Sequence, residues 1–223
     1  MPHFINNKLK YILSTNYKVM YTTMHHQLDL SELSNKRLFT KAFLSTFYLS
    51  GYKHFLIVRN PHRKLISFYQ DKFRVFPSEA RDDFSWHQWE SSHKVFPPHL
   101  GINRTTSAVE IMEKLIDVRL DRFIDLLSKV YLLEPHLWPQ NYIRNLMYGR
   151  IVLHQIHFDQ VLKMESTDDM CFMAYELGLN LSKKYRSTHA APIQTYFSST
   201  RVEEANKIYK QDFQLYNYEL RRG

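Results

Sequence analysis

The chain has 223 residues, 44% hydrophobic and 23% charged, with 30 Lys+Arg against 22 Asp+Glu for a net charge of +8. That length buries a full core in one domain, and 15% aromatic residues exclude a disordered chain. A single cysteine, Cys171, excludes a disulfide framework and a cysteine-based zinc cluster, while the five glycines form neither a GxGxxG nor a GxxxxGK[ST] pattern.

In chain order, the first 25 residues hold no long apolar run, so neither a signal peptide nor a membrane anchor is expected. Lys10–Thr15 reads as a short buried strand, and a helical pattern begins near Thr22 or Thr23. A second helix is expected over Lys36–Leu49, ended by Gly51. His54–Arg59 is a continuous apolar run, the pattern of a central parallel strand, and Pro61 then opens a helix to about Phe73, where its missing N–H costs nothing. Residues 76–105 carry three prolines, two tryptophans and three histidines and read as an irregular insertion, a place for binding loops. Ser107–Leu133 is helical in two pieces, Gln155–Met164 a third strand, Asp168–Leu177 a helix closed by Gly178, and Arg201–Leu215 a last helix. Strands alternating with helices predict an α/β fold, a central parallel sheet of three to five strands flanked by helices, in a single domain over residues 1–223.

The basic excess points to an anionic ligand. Arg59 at the end of a predicted strand offers a planar fork for a phosphate, and Ser67, two turns into the next helix, offers a hydroxyl to the same group. After the first strand, Lys18, Thr22 and Thr23 place a cation and two hydroxyls at a helix start, where backbone N–H groups favour anions.

The order of residues from Arg59 to Phe73 resembles the 3′-phosphate motif R-[DN]-P-x-x-R-L-x-S-x-[YF]-x-x-K-F of sulfotransferases that use 3′-phosphoadenosine 5′-phosphosulfate. The likeness is to the Golgi carbohydrate sulfotransferases and their bacterial relatives. Arg59, Pro61, Ser67, Tyr69, Lys72 and Phe73 stand at named positions. The family's phosphosulfate loop, P-K-V-[AG]-[CS]-[TS]-[STN], is similar to Tyr17–Thr23, with Tyr17 in place of proline and Met20 in place of the small residue. Glu134–Gln140 resembles an H-W-x-P-Q segment, Phe158–Glu165 a D-x-[VI]-x-[KR]-x-E strand, and Ile208–Tyr218 the ending Y-x-x-D-[FY]-x-[LM]-[FY]-x-Y.

The resemblance implies a P-loop-like sulfotransferase fold, 3′-phosphoadenosine 5′-phosphosulfate as co-substrate, no metal, and sulfuryl transfer to a carbohydrate hydroxyl. It gives Lys18, Thr22 and Thr23 to the phosphosulfate, Arg59 and Ser67 to the 3′-phosphate, and Arg186 to the adenosine end. Lys18 neutralises the leaving oxygen. The acceptor must lose a proton to a base, for which His136 in the H-W-x-P-Q segment is the first candidate and His25 the second. Glu90, His93 and His99 could meet the acceptor from the insertion, and Glu165 reads as structural, paired with a basic neighbour. With no anchor and one cysteine, a bacterial cytoplasmic setting fits. Three alternatives stay open: transfer to a small natural-product alcohol or amine, a degenerate member that binds nucleotide without turnover, and a basic nucleic-acid-binding module using the 15 Tyr and 15 Phe for stacking. Nucleic acid is not the expected partner, since basic residues are spread along the chain. Neither the acceptor nor the oligomeric state is readable.

Overall fold

The two apolar runs become neighbouring parallel strands. In the computed structural model, which describes residues 2–33, 51–74, 95–103, 105–148, 151–182 and 199–220, β2 (Tyr11–Thr15) lies beside β4 (Lys53–Val58), with Tyr11 opposite Lys53 and Thr15 opposite Ile57. β7 (Gln160–Lys163) pairs in parallel with the other side of β4. On the outer side of β2, β1 (His3–Asn6) runs antiparallel, and β3 (Ser31–Leu33) runs antiparallel to β1, giving the order β3-β1-β2-β4-β7. The wholly parallel sheet expected from sequence is thus corrected to a mixed five-stranded one. The cause is local. Asn6 Oδ1 accepts the backbone N–H groups of Lys8 and Leu9 at 3.0 and 2.9 Å, and Lys10 turns left-handed at φ 54°, which reverses the chain within a hairpin. A parallel connection would need a crossover of about a dozen residues.

Strand alternation sorts the core into two layers. Phe4, Tyr11, Leu13, Phe55 and Ile57 face one side, under Val19, Met24 of α1 (Tyr21–His25) and Met173 of α5 (Thr167–Tyr175). Ile5, Ile12, Leu56 and Val58 face the other, against Ile143, Ile156, Phe158 and Tyr216. Each such side chain contributes about 1.5–3 kcal/mol by leaving water. α5 begins where Ser166 Oγ accepts the Asp169 N–H at 3.2 Å, and the chain leaves it through Gly178 at φ 67°.

Among the described residues the chain divides into two compact units. Met1–Pro61, Pro139–Ser187 and Gln211–Tyr218 hold the sheet; His62–Trp138, Thr188–Lys210 and Glu219–Gly223 form the second. The second is built on α2 (Pro61–Phe73), α3 (Ala108–Ile116), α4 (Leu120–Val130) and α6 (Ser199–Ile208). Its centre is aromatic: Phe73 meets Phe96 edge-on at 5.1 Å and Phe123 at 5.3 Å, and Tyr69 lies 5.4 Å from Phe123. Ser107 Oγ accepts the Glu110 N–H at 3.3 Å, a capping pair that starts α3. Asp125 on α4 pairs with Arg201 on α6. Lys64 is buried, its Nζ donating to the Trp138 carbonyl at 2.6 Å above the Tyr209 ring.

Several elements depart from expectation. The strand anticipated over Gln155–Met164 is the end of β6 (Ile151–Gln155), a turn, and then β7; β6 forms its own hairpin with β5 (Asn145–Tyr148). The last helix breaks at Tyr209 into α6 and α7 (Lys210–Leu215). The helix expected over Lys36–Leu49 lies outside the described residues, as do 76–94 and 104 of the insertion, including Glu90 and His93. Within the rest of that insertion, Pro97–His99 makes a 3-10 turn and Phe96 is buried in the aromatic core.

Candidate active site at two strand-to-helix turns

Ligands of open α/β sheets bind beyond the carboxyl ends of parallel strands. At that end of β2 and β4 stand the two stretches singled out in the sequence.

The first turn runs from Thr15 to Tyr21. The Thr15 hydroxyl donates to the Val19 carbonyl, the Val19 N–H donates to the Asn16 carbonyl at 3.2 Å, and Asn16 Oδ1 accepts the Tyr17 N–H at 2.8 Å. Val19 is fully buried, so the loop is anchored by its centre. Lys18 and Met20 flank it, both left-handed, at φ 64° and 54°. Left-handed backbone costs a residue with a Cβ about 1–2 kcal/mol, and the loop motif that Tyr17–Thr23 resembles has a small residue where Met20 stands. α1 starts without a side-chain cap. The Thr22 and Thr23 hydroxyls, on its first turn, have no hydrogen-bond partner among the described residues, and both residues are half-exposed.

The second turn is Arg59–Asn60, between β4 and α2. Here remote side chains satisfy the backbone. Gln140 Oε1 accepts the Arg59 N–H at 2.8 Å while Gln140 Nε2 donates to the Arg59 carbonyl at 2.7 Å. Glu165 Oε1 accepts the Asn60 N–H at 3.0 Å, and its Oε2 accepts the Tyr218 hydroxyl at 2.9 Å. Asp212 in turn accepts the N–H groups of Gln140 and Asn141 at 2.7 and 2.8 Å. The Tyr218 hydroxyl is pushed above the ordinary phenol range, first by burial and then by the Glu165 charge, and Arg59 pulls the other way. Among the described residues, Glu165 is held by a backbone amide and a phenol and not by the basic partner expected for it. The two turns are joined: Arg59 Nη1 donates to the Lys18 carbonyl at 3.1 Å.

Ser67 and His136 belong to the second unit. Ser67 is on α2, nearly buried at 9% exposure, its hydroxyl without a partner among the described residues. His136 follows α4; its Nδ1 lies 2.5 Å from Oε1 of Glu134, which also accepts the His136 N–H at 3.0 Å. Glu134 has no exposed surface. Burial works to raise its pKa, but the hydrogen bonds and charge of His136 outweigh this and hold it below the usual carboxylate range. His25, the second candidate base, lies on α1 in the first unit, 55% exposed, with Nδ1 3.2 Å from Glu32 Oε2 on β3. The same oxygen accepts the Tyr21 hydroxyl at 3.2 Å. Burial and the Glu32 charge push that hydroxyl up to about 12.

Arg186 lies outside the described residues. Among the described residues, no group of His, Cys, Asp and Glu is arranged to hold a metal ion, and no helix is long and apolar enough to cross a membrane. Sequence reasoning missed Gln140 and Asp212 as members of the site. Their only signal was membership of the collinear segments ending at Gln140 and spanning Ile208–Tyr218.

A profile described as "Sulfotransferase family" matches residues 4–219. The chain is 25% identical over 185 residues to carbohydrate sulfotransferase 11 of Mus musculus and, to the same extent, of Rattus norvegicus, covering 77% of this chain and 48% of each relative. It therefore spans about half the length of the curated relatives it matches. No solved structure matches. With the family profile running from β1 to beyond Tyr218, the chain belongs to the sulfotransferase family.

Proposed function

We propose that this chain, on a P-loop-like α/β fold, transfers a sulfuryl group from 3′-phosphoadenosine 5′-phosphosulfate to a hydroxyl of a carbohydrate. The observation that carries this reading is the Arg59–Lys18 hydrogen bond, which joins the two donor motifs at the carboxyl ends of adjacent parallel strands. Support for the carbohydrate comes from the printed name of the relatives.

In this reading Arg59 and Ser67 hold the 3′-phosphate and Arg186 the adenosine end, while Thr22, Thr23 and the backbone of the Lys18 loop hold the phosphosulfate. The acceptor oxygen attacks sulfur in line as the bond from sulfur to the bridging phosphate oxygen breaks. Lys18 stabilises the charge gathering on that oxygen. His136 takes the acceptor proton at Nε2, with Nδ1 held by Glu134, and the products are a sulfate ester and 3′-phosphoadenosine 5′-phosphate. His25 is the alternative base, favoured by its place on the helix that carries Thr22 and Thr23 and by its pairing with Glu32.

The test has two stages. Calorimetric titration compares 3′-phosphoadenosine 5′-phosphate with 5′-AMP; binding that requires the 3′-phosphate supports the donor site, and binding of neither overturns it in favour of the nucleic-acid module. Labelled sulfate transfer is then measured against sugars, small alcohols and amines. Transfer to sugars supports the proposal, transfer only to alcohols or amines corrects the acceptor, and nucleotide binding without transfer to any class marks a degenerate member. His136→Ala and His25→Ala, assayed in parallel, decide the base.

A further inference from the structure

We propose that Gln140 and Asp212 are positioning residues that set the aim of Arg59 and thereby its preference for a 3′-phosphorylated nucleotide. This rests on the donor-site reading above.

The β4–β7 ladder ends with the pair Val58 and Lys163. Val58 turns its carbonyl to Met164 on the β7 side, so Arg59, the next residue, turns its N–H and carbonyl to the β2 side, past the last pair Thr15 and Ile57, where a further strand residue would pair. The Gln140 carboxamide supplies both bonds of that missing strand, accepting the N–H and donating to the carbonyl. A carboxamide on a free rotor would not do this reliably. Gln140 is 1% exposed, and its own N–H and that of Asn141 are both accepted by one carboxylate, Asp212, which has no exposed surface. Desolvating a carboxylate and a carboxamide is expensive, and their hydrogen bonds do little more than offset it. What the arrangement supplies is geometry. The peptide at the root of the Arg59 side chain is fixed on both its N–H and its carbonyl, and the guanidinium is fixed at its far end by the Lys18 carbonyl. An arginine held at root and tip presents its planar fork in one orientation, the requirement for bidentate recognition of a phosphate. On the helix side, Glu165 secures the following amide in the same way.

The measurement is the ratio of dissociation constants for 5′-AMP and 3′-phosphoadenosine 5′-phosphate, by calorimetry, together with the thermal midpoint of each protein. Gln140→Met keeps the side-chain length and removes both hydrogen bonds. The ratio should fall about 10–100-fold, the usual effect of removing an orienting partner, with 5′-AMP affinity kept within about twofold. Asp212→Asn, which leaves one acceptor for two N–H groups, should lower the ratio in the same direction by less. If Gln140→Met fails to fold, Gln140→Asn takes its place, since it is neutral and keeps the carboxamide but draws it back from the Arg59 peptide by one methylene. A folded Gln140 variant with an unchanged ratio overturns the proposal, and so does equal weakening of both nucleotides, the mark of a purely structural role. A wild-type ratio near one sinks the donor-site reading itself and this inference with it.

Discussion

The two turns at the carboxyl ends of β2 and β4 solve one problem in opposite ways. The Thr15–Tyr21 turn is held by its own residues: a threonine hydroxyl, an asparagine side chain, and two left-handed residues that carry Cβ atoms. The Arg59–Asn60 turn contributes almost nothing to its own shape and is held by Gln140 and Glu165, with Asp212 and Tyr218 behind them. A self-held loop tolerates change elsewhere and stores strain locally. A turn held from a distance is unstrained but depends on three other stretches of chain. The difference matches the parts proposed for them: a backbone cradle around a transferring group, and a single arginine that must point one way.

Substitutions can break this contrast. Arg59→Ala should have the largest effect, weakening 3′-phosphoadenosine 5′-phosphate by about 2–5 kcal/mol, as truncating a desolvated charged contact does, and 5′-AMP much less. Calorimetry reads both, and equal losses would mean that Arg59 serves the fold rather than the 3′-phosphate. Lys18→Ala should cut turnover about 10²–10³-fold while the desulfated nucleotide binds nearly as before, because its contact strengthens only as the bridging oxygen gains charge. Parallel losses in turnover and binding would remove that role.

The strain in the first turn has a smaller signature. Both Met20→Gly and Met20→Ala lose the thioether that packs against the core, but only glycine is at ease at φ 54°. The glycine variant should be the more stable of the two by about 1 kcal/mol in urea unfolding, the reverse of their order inside a helix. Equal midpoints would show that the left-handed turn costs nothing. Outside both turns, the Glu134–His136 pair supplies a reference. Since Glu134 titrates below the usual carboxylate range in the folded state, the unfolded chain binds the proton first as pH falls. The pair's contribution is complete above the ordinary carboxylate range and is lost as pH drops through the lowered value. Glu134→Gln should therefore flatten the acid limb of stability below about pH 4–5 and leave the two turns' nucleotide binding unmoved. An acid limb as steep as the wild type's would show that other carboxylates govern it.

Much of the sheet was legible because its chemistry is local. The runs at Lys10–Thr15 and His54–Arg59 are continuous in apolar side chains, Pro61 fixes the start of α2, and Ser107 and Gly178 mark helix ends as caps do. β1 and β3 were not, being four and three residues long, too short for any period to declare itself. The break at Tyr209 was hidden because an apolar stripe continues through it, with Ala205, Tyr209 and Phe213 all buried. At the site, Lys18 and Arg59 stand out as cations in motif positions. Gln140 and Asp212 look like surface residues, since a glutamine after a proline and an aspartate in a polar helix are ordinary, and only the fold brings them to a peptide some 80 residues earlier or 70 residues earlier, respectively.

The distance over which the Arg59 turn is held has a consequence for the order in which the protein becomes competent. A chain emerging from the ribosome completes β2, its loop and β4 early, yet the acceptors for the Arg59 and Asn60 amides come from residues 140 and 165, and their supports from 212 and 218. Domains fold as units, so the second turn is complete only when the C-terminal segment docks. Nucleotide that needs both turns therefore reports the docking of Asp212 and Tyr218, and by binding only that docked form it draws the step toward the native state.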